Sequence, residues 1–260
     1  MYFKEDYKIR CLDVDPNGNV RPTRLIRLFQ ETANLQMYAR KPSYYELFGE
    51  RKSFILTRMT AEILGQIHEN DVIESRTWRA GAKAATFFRG HALYRDGEML
   101  ARAQSEWTVV DVVDGHIYKT SEIDLSNYES GDAPELSIPK RFRLPKEELE
   151  ERGGKDVFYS DGDMNRHMNN TNYADMITDF IDGIEEKELT SINFRFRKEA
   201  AVGCRIRVTG ARTDAETIGD PRAEEGWLFR TYVGDDVNLE AMIGVRKTEP
   251  SPFANLYKQA

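Results

Sequence analysis

One short loop pattern occurs twice in the chain, and each copy precedes a helical pattern. Residues 13–23 align with residues 161–171 at a constant spacing (161 − 13 = 148), with identical residues at Asp13/Asp161, Asp15/Asp163, Asn17/Asn165 and Thr23/Thr171. Apolar side chains then recur every three or four residues, which is typical of one face of an α-helix. They are Leu25, Leu28, Phe29 and Ala33 in the first copy and Tyr173, Met176, Ile177, Phe180, Ile181 and Ile184 in the second. We infer that the chain is a duplicated unit.

The segments after each helical pattern read as antiparallel strands. The first helix, over about 21–39, has Pro22 in its first turn, where the missing N–H costs nothing. Asp96-Gly97 between two alternating segments is a strong hairpin signal. Strands are predicted over 7–12, 54–63, 71–78, 86–94 and 99–113, and then over 190–200, 205–211, 227–233 and 239–247. One long helix followed by several strands predicts an α+β unit, with the helix packed on a curled sheet.

The composition separates two such units. Residues 1–130 and 157–260 each contain a loop, a helix and strands, whereas residues 131–156 are rich in Pro, Gly and charge. We expect this middle stretch to be a connector, part extended and part helical.

Composition also excludes several classes of protein. With 40% hydrophobic and 31% charged residues, the chain is ordinary for a globular protein. No apolar run approaches the roughly 20 residues that span a bilayer, and the first residues lack secretory or transit character, so we expect a cytoplasmic protein without membrane contact. A net charge of −7 argues against a nucleic-acid binder. Two cysteines, Cys11 and Cys204, form no disulfide framework.

The second copy of the loop holds the groups best suited to catalysis. Asp163, Asn165 and His167 occupy alternate positions, so their side chains are expected to face the same way. Asn169 and Asn170 stand where a helix N-cap is favoured, and a helix start offers free N–H groups to a developing oxyanion. The alternative interpretation is a solvated turn, because Asp, Asn and Gly are common turn formers.

The remaining histidines indicate no cofactor. His68, His91 and His116 lack acidic or cysteine partners at ligand spacing, so we interpret them as structural or exposed and expect no metal. No Gly-rich loop follows a strand, so no nucleotide cofactor is expected.

Four stretches, in the right order, resemble the bacterial-type acyl-acyl-carrier-protein (acyl-ACP) thioesterases. Asp163-Met-Asn-Arg-His-Met-Asn-Asn-Thr-Asn-Tyr173 is similar to the family signature Asp-x-Asn-x-His-x-Asn-Asn-x-x-Tyr. The others are 55–59 (Ile-Leu-Thr-Arg-Met), 101–107 (Ala-Arg-Ala-Gln-Ser-Glu-Trp) and 193–199 (Asn-Phe-Arg-Phe-Arg-Lys-Glu). The resemblance covers about residues 7–246 and implies a tandem, or double, hot-dog fold.

The resemblance also implies an active site of Asp163, Asn165, His167 and Glu199. Members of the family often carry Cys directly after the Glu, but this chain has Ala200 there. Cys204 lies four residues further, about 13 Å along a strand at the usual rise, so it cannot take that place without a bulge. The sequence therefore predicts a mechanism without a thiol.

The chemistry of thioester hydrolysis assigns a role to each group. Glu199, expected on a strand facing the loop, is the leading candidate for the general base. His167 would orient the water or protonate the leaving sulfur, and Asn165 with the helix-start N–H groups would hold the water or the oxyanion. Asp163 would orient His167 or Asn165 by hydrogen bonding. We expect a dry cleft in which Glu199 and His167 tune each other's pKa.

An acyl carrier protein is the partner that the resemblance implies, with its phosphopantetheine arm in the cleft. That carrier is acidic and this chain has a net negative charge, so a local basic patch is needed. Two groups of basic residues are candidates: Arg166, Arg195, Arg197 and Lys198 near the site, and Lys140, Arg141, Arg143 and Lys146 in the connector.

The first unit lacks the expected catalytic groups. Asn19 stands where the second copy has His167, and Gln66 falls roughly where a counterpart of Glu199 is expected. The family resemblance implies that this unit is catalytically silent and contributes its helix and sheet to the acyl pocket. An acyl-coenzyme A thioesterase and a non-catalytic acyl-binding module or hydratase remain alternatives. Acyl chain length and further dimerisation stay open.

Overall fold

The computed structural model describes residues 2–147 and 149–248, and these form one ten-stranded antiparallel sheet. The order across the sheet is β1-β3-β4-β5-β2-β7-β10-β9-β8-β6. The strands are β1 (Phe3–Lys8), β2 (Lys52–Ile63), β3 (Val72–Lys83), β4 (Thr86–Arg95), β5 (Glu98–Asp111), β6 (Glu150–Asp156), β7 (Lys187–Phe196), β8 (Arg205–Thr213), β9 (Glu225–Val233) and β10 (Asp236–Lys247).

The two halves of the sheet repeat the same topology. From the centre outward the order is 2-5-4-3-1 in the first half and 7-10-9-8-6 in the second. The halves join where β2 pairs with β7, with Arg58 opposite Arg195 and Glu62 opposite Ser191. The predicted α+β class and the duplication of the unit are therefore confirmed, and the tandem hot-dog units share one sheet.

The helices differ in length between the copies. They are α1 (Pro22–Ala39), α2 (Tyr44–Gly49), α3 (Tyr173–Thr178) and α4 (Ala215–Ile218). The first is 18 residues long and buries Leu25, Leu28, Phe29 and Ala33, so the predicted helix is confirmed. Thr23 in its first turn donates its backbone N–H to the Asp175 carboxylate (2.8 Å), which joins α1 to α3.

The predicted helix from Tyr173 to Ile184 is wrong beyond Thr178. The Thr178 hydroxyl donates to the Ala174 carbonyl (2.8 Å), and the chain then turns through Gly183, which has a φ of 65°. Ile181 is nevertheless only 3% exposed. The apolar spacing thus indicated burial correctly, while turns rather than a helix provide it.

Two predicted segment boundaries near the edge strands are also wrong. The first strand is β1, not 7–12, because the Asp13 carboxylate accepts the Arg10 N–H (2.9 Å) and forms a turn at residues 11–13. β6, the counterpart of β1, lies inside the stretch predicted as connector, whose described part contains no helix. Gly153, Gly154 and the charged residues around them give this strand no alternating apolar pattern, so the sequence did not indicate it. Of the predicted units, Met1, Glu148 and residues 249–260 lie outside the described residues.

One hydrophobic core extends across both copies. It includes Phe29 and Met59 of the first half and Phe194 and Trp227 of the second. On the opposite face of the second half, residues of the connector and α4 pack against β9 and β10; they form the cluster Leu144, Leu149, Ile218, Leu228 and Met242. Within the described residues, no helix is both long and apolar enough to cross a membrane.

Candidate active site

A single carboxylate shapes the loop that precedes α3. Asp163 Oδ1 accepts hydrogen bonds from the backbone N–H groups of Asn165 (2.8 Å) and His167 (3.2 Å). The Asp163 N–H donates to the His167 carbonyl (2.8 Å), and Arg166 between them has a φ of 63°. Asp163, Asn165 and His167 consequently line one cavity, as the alternation predicts.

The first copy of the loop has the same hydrogen bonds. Asp15 Oδ1 accepts the N–H groups of Asn17 (2.9 Å) and Asn19 (3.0 Å), and Gly18 has a φ of 81°. Because this copy has no histidine, the carboxylate builds the turn whether or not an imidazole follows. Asp163 therefore positions the His167 backbone, which is the orienting role expected of it, exerted through N–H groups.

The loop brings His167 to Glu199. The Nδ1 atom of His167 lies 3.2 Å from Glu199 Oε2, which is hydrogen-bonding distance. The Met168 N–H donates to the Ala200 carbonyl (2.7 Å) and fastens the loop to the segment that carries Glu199. The structure thus brings together two residues that are 32 positions apart (199 − 167 = 32).

Glu199 does not lie on a strand, contrary to expectation. β7 ends at Phe196 because the N–H groups of Arg197 (2.9 Å) and Lys198 (3.2 Å) both donate to the Asn238 carbonyl. Two donors on one acceptor break the strand pairing and form a bulge-like turn. The Asn238 side chain also donates to the Lys198 carbonyl, and this holds the residue before Glu199.

The cleft is open rather than dry, so that expectation is wrong as well. The side chain of His167 is 32% exposed and that of Glu199 is 56% exposed. The cavity has a volume of about 440 Å³. Its lining includes Ile55, Leu56 and Thr57 of β2 together with the loop and the end of β7, so both copies of the unit contribute to it. Water has direct access to the carboxylate.

Three N–H groups at the start of α3, where the sequence predicts free donors, already have acceptors within the fold. Asn169 caps the preceding turn: its Oδ1 accepts the Thr171 N–H (3.0 Å) and its carbonyl accepts the Asn172 N–H (3.0 Å). The Asp175 N–H donates to the Thr23 hydroxyl of α1 (3.2 Å). These three donors are used within the fold and are therefore not free to stabilise an oxyanion.

Two side-chain amides can provide that stabilisation. Asn165 and Asn170 both line the cavity, and no described residue accepts a hydrogen bond from either side-chain NH₂ group. Asn170 Oδ1 accepts the Gln30 amide (2.7 Å), which fixes the direction of the Asn170 NH₂ group. The sequence interpretation treated Asn170 only as a cap, although its place in the signature could have indicated more.

No thiol reaches the pair. Ala200 is buried beside Glu199, and the chain turns after it, since the Cys204 N–H donates to the Ala201 carbonyl (3.1 Å) and Gly203 has a φ of 93°. The chain between Ala200 and Cys204 is therefore a turn and not an extended strand. The Cys204 side chain packs on the core, and burial raises the pKa of its thiol.

A second cavity adjoins the first. It lies between α1 and the sheet of the first half and is mostly apolar. Phe54 and Trp107 line both cavities, and the hydrogen bond from Gln30 to Asn170 crosses between them. The other lining residues are Ala33, Asn34, Met37, Tyr44, Arg79, Phe87, Phe88, Arg89, Leu125 and Tyr128.

The counterparts of His167 and Glu199 are polar and uncharged. The backbone of Asn19 forms an antiparallel β-bridge with His68, and that of His167 forms one with Ala201. Gln66 stands two residues before His68, and Glu199 stands two residues before Ala201, so the two occupy equivalent positions. Asn19 and Gln66 line a cavity together, as their counterparts do. This matches the position expected for Gln66.

The predicted basic groups divide into paired and unpaired residues. Arg195 contacts Glu240 (3.1 Å), Arg141 contacts Glu106 (3.0 Å), Lys140 donates to Gln104 (2.8 Å) and Lys198 pairs with Asp236. Within the described part of the chain, the side chains of Arg143, Lys146, Arg166 and Arg197 have no hydrogen-bonded or ionic partner. Arg197 lines the same cavity as His167 and Glu199.

Comparison with known proteins identifies the family. Residues 1–122 match the acyl-ACP thioesterase N-terminal domain, and residues 146–226 match the C-terminal domain. A chloroplastic palmitoyl-acyl carrier protein thioesterase of Arabidopsis thaliana is 24% identical over 255 residues, which are 87% of this chain and 61% of that protein. The chain thus spans less than two thirds of that relative.

Solved structures agree on the fold. A candidate oleoyl thioesterase from Lactobacillus plantarum superposes with a TM-score of 0.82 at 20% identity, over 96% of this chain and 97% of that one. The 12:0-ACP thioesterase from Umbellularia californica gives 0.81 at 15% identity, over 95% and 94%. With both domain matches in sequence order on one duplicated sheet, the chain belongs to the acyl-ACP thioesterase family.

Proposed function

We propose that this protein hydrolyses the thioester of fatty acyl-ACP and releases free fatty acid and the carrier. The observation that carries the proposal is the His167–Glu199 pair, 3.2 Å apart, on an open cavity that adjoins an apolar one. The first cavity suits a thioester and water, and the second, which is apolar and about 90 Å³ in volume, lies where an acyl chain would extend from that thioester. Membership of the family supports the choice of substrate.

In this mechanism a water molecule attacks the thioester carbonyl directly. Glu199 accepts a proton from the water as its oxygen bonds to the carbonyl carbon. The side-chain amides of Asn165 and Asn170 donate to the oxyanion of the tetrahedral intermediate. When the C–S bond breaks, the proton returns to the departing thiolate, directly or through the His167 imidazole. One water molecule thus adds across the C–S bond.

The same geometry makes a covalent acyl-enzyme unnecessary. Ala200 offers no nucleophile beside Glu199, and Cys204 packs away from the cavity. A thioester is reactive enough for attack by an activated water, so we assign Glu199 as the base rather than as the partner of a thiol.

We assign the acyl chain to the cavity of the first unit and no catalytic role to its loop. Phe54 and Trp107 line both cavities, so the apolar cavity lies directly beside the proposed thioester site. Asn19 and Gln66 cannot act as general bases near neutral pH, because amides do not titrate there.

The carrier is proposed to dock at the mouth of the catalytic cavity. Arg166 and Arg197 flank the site and carry unpaired charge, which suits an acidic carrier. Arg143 lies with Leu228 and Met242 on the other face of the sheet. We expect Arg197→Glu to raise KM for acyl-ACP and to spare small thioesters, with Arg143→Glu as a control that leaves both unchanged.

Steady-state hydrolysis tests the function. One acyl chain is presented on ACP and on coenzyme A to the wild type, Glu199→Gln and Gln66→Ala, the last being a matched change in the first copy. We expect a higher kcat/KM on ACP, a fall in kcat of about 10²- to 10⁴-fold in Glu199→Gln, and no change in Gln66→Ala. Equal rates on both carriers would identify a general acyl-coenzyme A thioesterase. Binding of the acyl chain without turnover would indicate a binding module.

A further inference from the structure

The cavity assigned to the acyl chain contains two arginines in an otherwise apolar wall. Arg79 on β3 and Arg89 on β4 are directly opposite each other in the sheet, and both line the cavity with Phe87, Met37 and Leu125. Like charges facing each other across a strand pair are unfavourable by themselves. Their presence together in this cavity calls for a chemical explanation.

Neutral groups, rather than a carboxylate, hold Arg89 in place. Its guanidinium donates to the Gln36 side-chain oxygen and to the Thr77 hydroxyl (3.3 Å). Gln36 in turn donates to Glu129 (2.7 Å), whose carboxylate is already paired with Arg40. This chain of bonds fixes the direction of Gln36 and therefore of Arg89, while leaving the Arg89 charge without a directly bonded anion.

Arg89 lines the cavity although its charge lies deep in the fold. Burial lowers the pKa of Arg89 to about 10, yet the residue as a whole is only partly covered. Arg79 is also partly covered, and no described side chain accepts a hydrogen bond from its guanidinium. The charge of Glu129 acts on Arg89 and that of Asp124 acts on Arg79, in both cases without a direct hydrogen bond. The cavity thus presents N–H donors that no described carboxylate accepts.

The two arginines lie away from the strand that borders the catalytic cavity. β4 is separated from β2, which borders the catalytic cavity, by β5, and two strand spacings correspond to roughly 10 Å. A group near the thioester carbonyl would remain beside Glu199. Only an atom far along the acyl chain would come close to Arg89.

We propose that the preferred substrates are acyl chains that carry a hydrogen-bond-accepting oxygen, a hydroxyl or a carboxylate, at or near the end remote from the thioester. This oxygen accepts from Arg89 and Arg79 and completes their hydrogen bonding. The inference rests on the proposed function, since it takes the cavity to be the acyl site. A plain chain would place a methyl group against these donors and leave them unsatisfied.

Competition between matched chains tests the proposal. ACP is loaded with dodecanoyl or hexadecanoyl chains, each plain, ω-hydroxylated or ω-carboxylated, and kcat/KM is measured for each. In parallel, calorimetry measures binding of the corresponding free acids, which requires no hydrolysis. We expect the hydroxylated or the carboxylated chain of at least one length to be preferred over its plain counterpart by about tenfold or more. Comparing the hydroxylated chain with the carboxylated chain shows whether the preferred hydrogen-bond acceptor on the substrate is neutral or anionic.

Three arginine variants test whether Arg89 and Arg79 cause the preference for oxygenated acyl chains. Arg89→Met should abolish it, and Arg79→Met, which removes no side-chain hydrogen bond within the described residues, should reduce it. Arg76→Met is the control, because Arg76 pairs with Glu74 and stacks on Tyr94 outside the cavity. If Arg89→Met does not fold, Arg79→Met decides the result.

The outcomes separate this inference from the proposed function. Equal or better binding of the plain chains of both lengths, or a preference that survives in both Arg89→Met and Arg79→Met, would overturn the inference even if acyl-ACP is hydrolysed. Absence of hydrolysis with every chain would overturn the proposed function, while the binding preference would still decide the role of the arginines.

Discussion

The duplicated loop allows the structural and catalytic contributions of one carboxylate to be separated. Asp163→Ala removes the acceptor for two backbone N–H groups, at 2.8 Å and 3.2 Å, and Asp15→Ala removes the equivalent acceptor at 2.9 Å and 3.0 Å. The hydrogen bonding lost is the same in kind and number. Only the loop of Asp163 carries a histidine that faces Glu199.

The expected loss of stability follows from these bonds. Replacing a turn- or cap-forming side chain costs about 0.5–2 kcal/mol, and two charge-assisted bonds at a partly exposed loop bring the total to about 1–3 kcal/mol. For a domain of this size, at about 2–4 °C per kcal/mol, each variant should melt roughly 2–12 °C below the wild type. Differential scanning calorimetry measures this shift.

Activity should divide the two variants. We expect Asp15→Ala to hydrolyse acyl-ACP at the wild-type rate and Asp163→Ala to lose most of its kcat, because the His167 backbone is no longer fixed. Asp163→Asn keeps an Oδ1 acceptor and should retain both Tm and most of the activity. If Asp163→Asn kept its Tm but were as inactive as Asp163→Ala, the carboxylate would act on the reaction itself and the positioning argument would be refuted.

Three further predictions concern single residues. Burial raises the pKa of Asp15, so the contribution of Asp15 to the free energy of unfolding is full below the ordinary pKa of an aspartate and is lost as pH rises through the raised pKa. Urea unfolding should therefore show that Asp15→Asn gains stability relative to the wild type from acidic to neutral pH. A difference in stability that stays constant with pH would contradict this. Asn238→Ala removes the donor to the Lys198 carbonyl and so loosens the neighbouring Glu199. We expect kcat to fall while the Kd for a non-hydrolysable acyl analogue is retained. An unchanged kcat would show that Glu199 keeps its position without the Asn238 side chain. Cys204→Ser should hydrolyse acyl-ACP at the wild-type rate, also after alkylation with iodoacetamide, and any inhibition would bring a thiol back into the mechanism.

The sequence pattern predicted elements that are stabilised by contacts between residues close together in the chain. The α1 helix was predictable because Pro22 and the regular apolar residues from Leu25 onward satisfy helix geometry within a few residues of each other. The helix predicted after Thr178 is wrong, because the burial of Ile181 requires only that this part of the chain lie against the core. Turns can place Ile181 there as well as a helix can.

Contacts between distant segments determined what the sequence could not indicate. The position of Glu199 depends on Asn238, which holds Lys198 from 40 residues away. The direction of Arg89 depends on Gln36, 53 residues earlier in the chain. The spacing of apolar residues within one segment does not indicate hydrogen bonds between side chains that are so far apart in the sequence. The site residues themselves were available only from the signature around His167 and from its resemblance to a family.

The pairing of β2 with β7 has a consequence for how such a protein can diverge. Two separate identical chains joined along this seam would have to carry identical sites, because every change in one would occur in the other. Here both sides of the seam belong to one polypeptide, so each copy changes independently. One copy has kept a histidine and a glutamate, whereas the other holds Asn19 and Gln66 and extends α1 over a cavity. A single polypeptide therefore allows the two halves of the assembly to be unequal, as the lengths of α1 and α3 are.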